Sequence, residues 1–255
     1  MKDDQVIGIC KLCRNNVVLV RSHVWPAFLY KLYIADQDKG GQFVDVTEEI
    51  PKSTAQLKRN WLCESCEGIL SKSEDKVARL LRNFKKQNSE SINYDEHLLR
   101  FAVSASWRTV QIHCENYNQD LIEYEWPAVK VWRKFLLGEQ ETIGQYTQHA
   151  FVLNDQSVGF HRMLSSSVHP DQTLVMTQAG SLLIIGLLER SGLSESESKI
   201  WEFSRIRPHK GSINRIKEWR VGRSVTLKFA QLLSEIQHKQ ISLTKKLARK
   251  WGWID

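Results

Sequence analysis

The N-terminal part of the chain places two short strand-like segments before one long helical pattern. Residues 16–23 (NVVLVRSH) are β-branched and apolar, as in a strand, and residues 56–62 are interpreted as a second strand. A short amphipathic segment, residues 27–33, follows the first of them. From residue 66 to residue 86, apolar side chains recur every three or four positions, which is the spacing of one helix face. The pattern therefore predicts the order strand, strand, helix.

Polar segments interrupt these elements and indicate where the chain divides. Residues 36–54 are rich in Gly, Asp, Ser and Thr, which indicates an extended loop with one further strand at residues 42–46. Residues 87–93 (QNSESIN) are polar again and mark a boundary. We therefore expect one domain over residues 1–90 and a second over residues 91–255.

The second domain mixes helical patterns with apolar runs, which predicts an α+β fold. Helices are predicted over residues 95–115, 126–137 and 224–247, and strands over residues 149–153, 173–177, 181–189 and 200–206. No stretch approaches the roughly 20 consecutive apolar residues of a membrane helix, so we expect no membrane role. The first residues lack the basic and apolar regions of a signal peptide, which predicts a cytoplasmic protein.

Four of the five cysteines form two C-x-x-C pairs. The pairs are Cys10 with Cys13 and Cys63 with Cys66, separated by 49 residues. In a reducing compartment, such pairs favour a metal over disulfides. Two thiolates with two residues between them can reach one ion at about 2.3 Å, and two pairs complete the tetrahedron of a structural Zn²⁺ site. A redox C-x-x-C motif or a chance pairing is the alternative. Cys114 lies alone in an apolar helical pattern, which indicates a buried core thiol.

Charge favours an anionic partner. The chain carries 36 Lys and Arg against 29 Asp and Glu, a formal charge of +7, and nucleic acid is the partner that such an excess fits. Basic residues are dense from Arg205 to Arg223, where they could bind phosphates while Trp219 stacks on an unpaired base. A solvated surface with the tryptophan in the core is the alternative. The candidate contacts in this run are Arg205, Arg207, Lys210, Arg215 and Arg220.

Three short motifs lie at or near the cysteine pairs. They are C-K-L-C at residues 10–13, S-H-V-W-P at residues 22–26 and L-C-E-S-C-E at residues 62–67. In this order they resemble the HNH nucleases, a branch of the ββα-metal fold. A narrower resemblance is to bacterial HNH-like proteins with a downstream Glu, here Glu74, and an S-x-x-W-R helix, here residues 104–108. The resemblance implies an N-terminal zinc-knuckled ββα-metal module that cleaves phosphodiester bonds, as in a bacterial defence or toxin effector.

The resemblance also implies roles for four polar residues near the knuckles. A histidine at a strand end can deprotonate water near neutral pH, while a divalent ion such as Mg²⁺ or Mn²⁺ stabilises charge on the phosphate and the leaving oxygen. His23 is therefore the candidate general base, and Asn60 is the candidate that orients it. The family more often places this asparagine five residues before the first cysteine of the second knuckle, where this chain has Lys58. A histidine that hydrogen-bonds the backbone at a strand end is the alternative. Lys58 and Arg59 are candidate phosphate contacts.

Two departures from the HNH pattern change the ligands expected for the divalent ion. Ser22 stands where many relatives carry an acidic ligand, and Glu67 stands where they carry a closing histidine. At about 100° per residue, Glu67 and Glu74 lie about 20° short of two helical turns apart, so their carboxylates share one face. Carboxylates beside an apolar stripe are costly unless they are paired or bind a cation. Both are candidate metal ligands, and Glu67 is also a catalytic candidate. Stabilisation of Glu67 by the helix dipole and pairing of Glu74 with lysine are the alternative.

Two functions of different classes fit these observations. The first is a metal-dependent HNH-type endonuclease acting on DNA or RNA, with an ATPase or sensor subunit as a possible partner. The second is a non-catalytic zinc-containing module that binds nucleic acid or protein and carries a degenerate HNH site. The departures at Ser22 and Glu67 keep the second function open.

Overall fold

The computed structural model contains helices and two β-sheets, which confirms the predicted α+β class. The structure describes residues 6–33, 57–87, 89–116, 126–153, 164–168, 174–179, 182–188 and 204–216. The strand predicted at residues 42–46 and the helices predicted at residues 224–247 lie outside the described residues. No helix within the described ranges is long and apolar enough to cross a lipid bilayer.

The first sheet has three antiparallel strands in the order β1-β2-β3. They are β1 (Val6–Ile9), β2 (Asn16–His23) and β3 (Lys58–Leu62). The valines of β2 suit a strand because β-branched side chains pack well on a pleated surface. A register shift between Val20 and Arg21 places one extra residue on β3. Such a bulge bends the strand pair and increases its twist.

Two helices complete the N-terminal part. Helix α1 (Ala27–Tyr33) follows β2 after a short turn, and helix α2 (Glu64–Gln87) follows β3 almost directly. Two acidic residues in the first turn of α2 and two lysines in its last turn complement the helix dipole. Its buried face has the predicted three- and four-residue spacing. The buried residues of α2 are Cys66, Leu70, Ser73, Val77, Ala78, Leu81 and Phe84.

The second sheet has six strands. They are β4 (Ser91–Asp95), β5 (Gln148–Leu153), β6 (Leu164–Val168), β7 (Leu174–Ala179), β8 (Leu182–Leu187) and β9 (Lys210–Ile216). Their order is β4-β9-β5-β8-β7-β6, and only the β5–β9 pair is parallel. Strands β5, β7 and β8 match predicted runs, whereas the sequence does not predict β6 or β9.

Helix α3 (Glu96–Asn116) lies between α2 and the second sheet. Residues 101–112 of α3 are all buried, as expected for a helix covered on every side. Helix α4 (Pro127–Leu137) packs beside it. One continuous cluster of buried side chains runs from the first knuckle to Ile213 in β9 and so crosses residue 90. The division into two domains at residue 90 stays a prediction.

Two segments differ from their predictions. Residues 91–93, which the polar composition marks as a boundary, belong to β4 and pair with β9. Ile92 and Tyr94 are buried while their neighbours face outward, and two apolar residues are too few to show a strand pattern in the sequence. Of the strand predicted at residues 200–206, the described part contains only a single bridge between Arg205 and His149.

Candidate metal centre

The first cysteine pair lies in a tight turn after β1. Arg14, which follows Cys13, has a left-handed backbone with φ of 67°, the only such non-glycine residue in the described part of the chain. Its N–H donates to the carbonyl oxygen of Cys10 at 2.8 Å, and the N–H of Cys10 donates to the carbonyl oxygen of Asn15 at 2.9 Å. These two bonds close the turn and bring both thiols to one side of it.

The second cysteine pair spans the start of α2. Cys63 precedes the helix, and Cys66 lies in its first turn and is buried. The N–H of Glu67 donates to the carbonyl oxygen of Cys63 at 3.0 Å, so the helical bonding begins at the knuckle itself. The N–H of Lys11 donates to the carbonyl oxygen of Trp61 at 2.8 Å. This bond holds the first turn against β3.

The two pairs meet. The sulfur atoms of Cys10, Cys13, Cys63 and Cys66 all lie within 4.8 Å of one another, and those of Cys13 and Cys63 are 4.0 Å apart. A tetrahedron of thiolates at about 2.3 Å from Zn²⁺ has sulfur–sulfur distances of about 3.8 Å. The four cysteines could therefore hold a metal ion, and their geometry is compatible with the structural zinc that the sequence predicts. Cys114 is buried in α3, as predicted.

The surroundings of the four sulfurs favour the thiolate form at Cys10. Burial raises the pKa of the Cys66 thiol, and burial also raises the pKa of Cys13. At Cys10, burial acts in the same direction, but backbone N–H groups outweigh it and lower the pKa to about 7. One of these donors is the N–H of Cys63, 3.4 Å from the sulfur of Cys10. Amide donors directed at sulfur are suited to a thiolate ligand.

His23 lies at the end of β2, opposite Lys58 on β3. Directly paired residues share one face of a sheet, and alternate residues return to that face. Arg21, His23, Lys58 and Asn60 therefore lie on the same face of the first sheet. Asn60 is exposed and diagonal to the half-buried His23, at the roughly 7–8 Å that diagonal neighbours have. The direct cross-strand neighbour of the candidate base is thus a lysine.

Arg59 is tied to α3 by Glu115. The Arg59 Nε lies 3.4 Å from one carboxylate oxygen of Glu115. The other carboxylate oxygen accepts hydrogen bonds from Lys11 Nζ at 2.7 Å and from the indole N–H of Trp61. Glu115 therefore joins the first knuckle, β3 and the end of α3. Ser22, which pairs with Arg59 across the strands, is buried.

Glu67 and Glu74 face the same partner, Arg108 of α3. The Arg108 Nη1 lies 2.7 Å from Oε1 of Glu74, and Nη2 lies 3.9 Å from Oε2 of Glu67. The predicted shared face of the two carboxylates is confirmed by these contacts. Arg108 supplies the positive charge that carboxylates beside an apolar stripe require. A divalent ion at Glu67 and Glu74 stays a prediction, and such an ion would compete with the guanidinium.

Sequence reasoning identifies the S-x-x-W-R motif but not the role of its arginine. Arg108 is 2% exposed and Trp107 is fully buried, so both belong to the core. The available signal is an arginine inside the apolar pattern of a long helix, because a buried guanidinium requires an acidic partner. Glu74 is that partner, 34 residues earlier in the chain.

The candidate contacts that the structure describes between residues 205 and 216 lie on or beside the second sheet, whereas Lys58 and Arg59 lie on the first. Lys210 begins β9 opposite Asp95 of β4. Arg205 forms the bridge to His149, and the backbone N–H of Arg207 donates to the Tyr94 hydroxyl at 3.0 Å. The backbone of Arg215 pairs with Val152 of β5, while Arg220 lies outside the described residues.

Comparison with known proteins returns nothing: no protein-family model, curated protein or solved structure matches the chain.

Proposed function

We propose that the chain is a metal-dependent endonuclease of the HNH type, with its site on the β2–β3–α2 unit. The observation that supports this most is the convergence of the two knuckles, because it fixes two strands and the following helix in the ββα order that the motifs imply. His23 ends the first of these strands, where a general base would stand. Basic side chains of Arg21 and Lys58 lie on the same sheet face.

In this proposal the zinc does no chemistry. A small sheet packs a limited core, and a structural ion at its edge contributes folding free energy directly. The four thiolates hold the first turn and the start of α2 together. His23 thereby keeps a fixed place at the end of β2, opposite Lys58.

His23 would take the proton from the attacking water, and the ammonium of Lys58 would attract the phosphate. Histidine suits this step because it is the side chain that most often acts as a general base. A divalent ion held by Glu67 or Glu74 would stabilise charge on the phosphate and the leaving oxygen. Asn60 lies diagonal to His23 on the same sheet face and stays the candidate that orients it.

The test is cleavage of plasmid DNA and of RNA by protein freed of loosely bound ions on a desalting column, with added Mg²⁺, with added Mn²⁺, or with neither. The proposal expects cutting that requires a divalent ion and that His23→Ala reduces by two or more orders of magnitude, the usual contribution of a general base. His209→Ala is the matched control, because His209 is exposed and directly precedes β9 of the second sheet, outside the β2–β3–α2 unit. Wild-type rates in the His23→Ala variant would exclude this mechanism.

A non-catalytic zinc-containing module that binds nucleic acid or protein is the second candidate. The pairing of Arg108 with Glu67 and Glu74 favours it, because the guanidinium already neutralises the carboxylates. Tight, salt-sensitive binding of nucleic acid without cleavage under any divalent ion would select this candidate. The defence role, the cytoplasmic location and an ATPase or sensor subunit are predictions that rest on the resemblance and the composition.

A further inference from the structure

A groove of about 660 Å³ lies between α1 and α2, on the outside of the N-terminal unit. Helix α1 contributes one aromatic and one basic residue, and α2 contributes the remainder. The lining residues are Phe28, Lys31, Asp75, Ala78, Arg82, Lys85 and Lys86. Four cations against one carboxylate give the groove a formal charge of +3.

The groove residues of α2 form one stripe along the helix. Positions 75, 78, 82 and 85 are spaced by three or four residues, so they lie on one helix face. Ala78 is buried and forms an apolar floor with Phe28, whose ring packs against Phe101 with centroids 5.7 Å apart. The cations stand above this floor and are exposed. An apolar base with a basic rim suits a polymer whose charge lies on its outside.

Helix stability explains part of this charge but not all of it. Lysines in the last turn of a helix are favoured by its dipole, which accounts for Lys85 and Lys86. Arg82 lies more than one turn from the end of α2, and Lys31 belongs to another helix. The Arg82 Nε donates to the carbonyl oxygen of Ala78 at 3.1 Å, which holds the guanidinium along the groove. Two separate elements thus direct cations to one channel.

We propose that this groove binds the sugar–phosphate backbone of nucleic acid and leads it to His23. Phe28 follows His23 by five residues, which span at most about 18 Å. At about 3.4 Å per nucleotide of each strand, that distance corresponds to about five nucleotides. A strand held in the groove can therefore reach the candidate base within about five nucleotides. The binding role stands by itself, and only the link to His23 rests on the proposed function.

The experiment measures binding of a fluorescent DNA duplex, and of an RNA strand of matching sequence, to the His23→Ala protein over a series of salt concentrations. The test variant carries Arg82→Gln and Lys86→Gln. Loss of two phosphate contacts is expected to weaken binding by about tenfold or more near physiological salt and to reduce the slope of log K against log salt by about 1.4 to 1.8. Lys31→Gln, on the other helix, is expected to reduce the slope by about 0.7 to 0.9.

Lys76→Gln is the matched control. It removes one positive charge, as Lys31→Gln does, from an exposed site on α2 that lies about 100° around the helix from Asp75 and outside the groove. We expect it to leave the affinity within about twofold and the slope unchanged. The melting temperature of each variant is measured by circular dichroism. A melting temperature equal to that of the parent protein shows that weaker binding is not caused by unfolding.

The outcomes separate the groove from the nuclease. Groove variants that bind like the control overturn the groove proposal, even when the parent chain cleaves. Groove-dependent binding by a parent chain that never cleaves supports the groove and contradicts only the nuclease. Binding to anionic lipid vesicles that depends on Arg82 and Lys86, with no binding to nucleic acid, would replace the proposed partner by a membrane surface and overturn the proposal.

Discussion

The guanidinium of Arg108 lies 2.7 Å from the carboxylate of Glu74, and this contact joins two helices inside the core. The arginine comes from α3 and is 2% exposed, while the glutamate comes from α2. Helix α2 therefore has two contact points: the two cysteine pairs meet at its first turn, and Arg108 contacts its middle. A site on the β2–β3–α2 unit depends on both attachments.

Loss of Arg108 is expected to lower the stability of the folded chain. An Arg108→Met variant keeps most of the side-chain volume but leaves Glu74, whose side chain is only 14% exposed, without its partner, which lowers the free energy of unfolding by about 3 kcal/mol. Urea denaturation measures this change. Adding Glu74→Leu removes the unpaired charge and should recover part of the loss. An Arg108→Met variant as stable as the parent chain would show that the pair has no structural role.

Loss of one thiolate is expected to release the ion. Cys63→Ser should leave fewer than the four sulfur ligands of a structural site, so bound zinc falls and the N-terminal unit melts at lower temperature. Metal analysis and thermal denaturation monitor both changes. Cys114→Ser is the control, because this buried thiol lies on α3 and is not among the four gathered sulfurs. Full zinc content in the Cys63→Ser protein would contradict the assignment.

Glu115 is expected to slow metal release from the four cysteines although it does not contact their sulfurs. Glu115→Ala removes the acceptor shared by Lys11, Arg59 and Trp61, so the first knuckle loses its link to α3. Because the carboxylate is partly exposed, we expect a loss of only about 1 kcal/mol in unfolding free energy, together with faster zinc release to a chelator. Glu96→Ala, at the other end of the same helix, should leave the rate of zinc release unchanged. Equal release rates for both variants would refute the coupling.

Two glycines are expected to respond in opposite directions to alanine. A methyl group at Gly186 of β8 would lie 2.7 Å from the Ser106 oxygen and 2.9 Å from the Trp132 ring, so Gly186→Ala should destabilise the chain by about 1–3 kcal/mol. Gly68 in α2 has nothing within 4 Å of that position, and Gly68→Ala should stabilise the chain by up to about 1 kcal/mol. Chemical denaturation of both variants tests the packing of α3 on the sheet.

The parts of the site that depend on local spacing can be predicted from the sequence. The C-x-x-C pairs indicate a shared ion because two intervening residues suffice for a knuckle. The common face of Glu67 and Glu74 follows from helical periodicity alone. Their partner Arg108 cannot be predicted in this way, because it contacts the two carboxylates only once α2 and α3 have packed together. Tertiary pairing of this kind leaves no periodic signal.

In the second sheet, too, the sequence does not reveal pairings that depend on tertiary structure. Strands β5, β7 and β8 are predicted because each is a short apolar run. Strand β9 (KGSINRI) is polar and basic, and its sequence favours a solvated segment. It becomes a strand because β4 pairs with it on one side and β5 on the other, and because Gly211 lies against the Tyr94 ring, where a larger residue would collide. Neighbouring strands, rather than the propensity of its own residues, stabilise β9.

The distance along the chain between the two knuckles has a consequence for chain entropy. An ion bound to both cysteine pairs closes a ring of 49 intervening residues, much as a disulfide would. The entropy of ring closure grows only with the logarithm of length, so doubling the ring would cost only about 0.6 kcal/mol. Inserted sequence, such as an affinity tag between α1 and β3, should therefore be tolerated as long as the ion keeps both ends of the ring together.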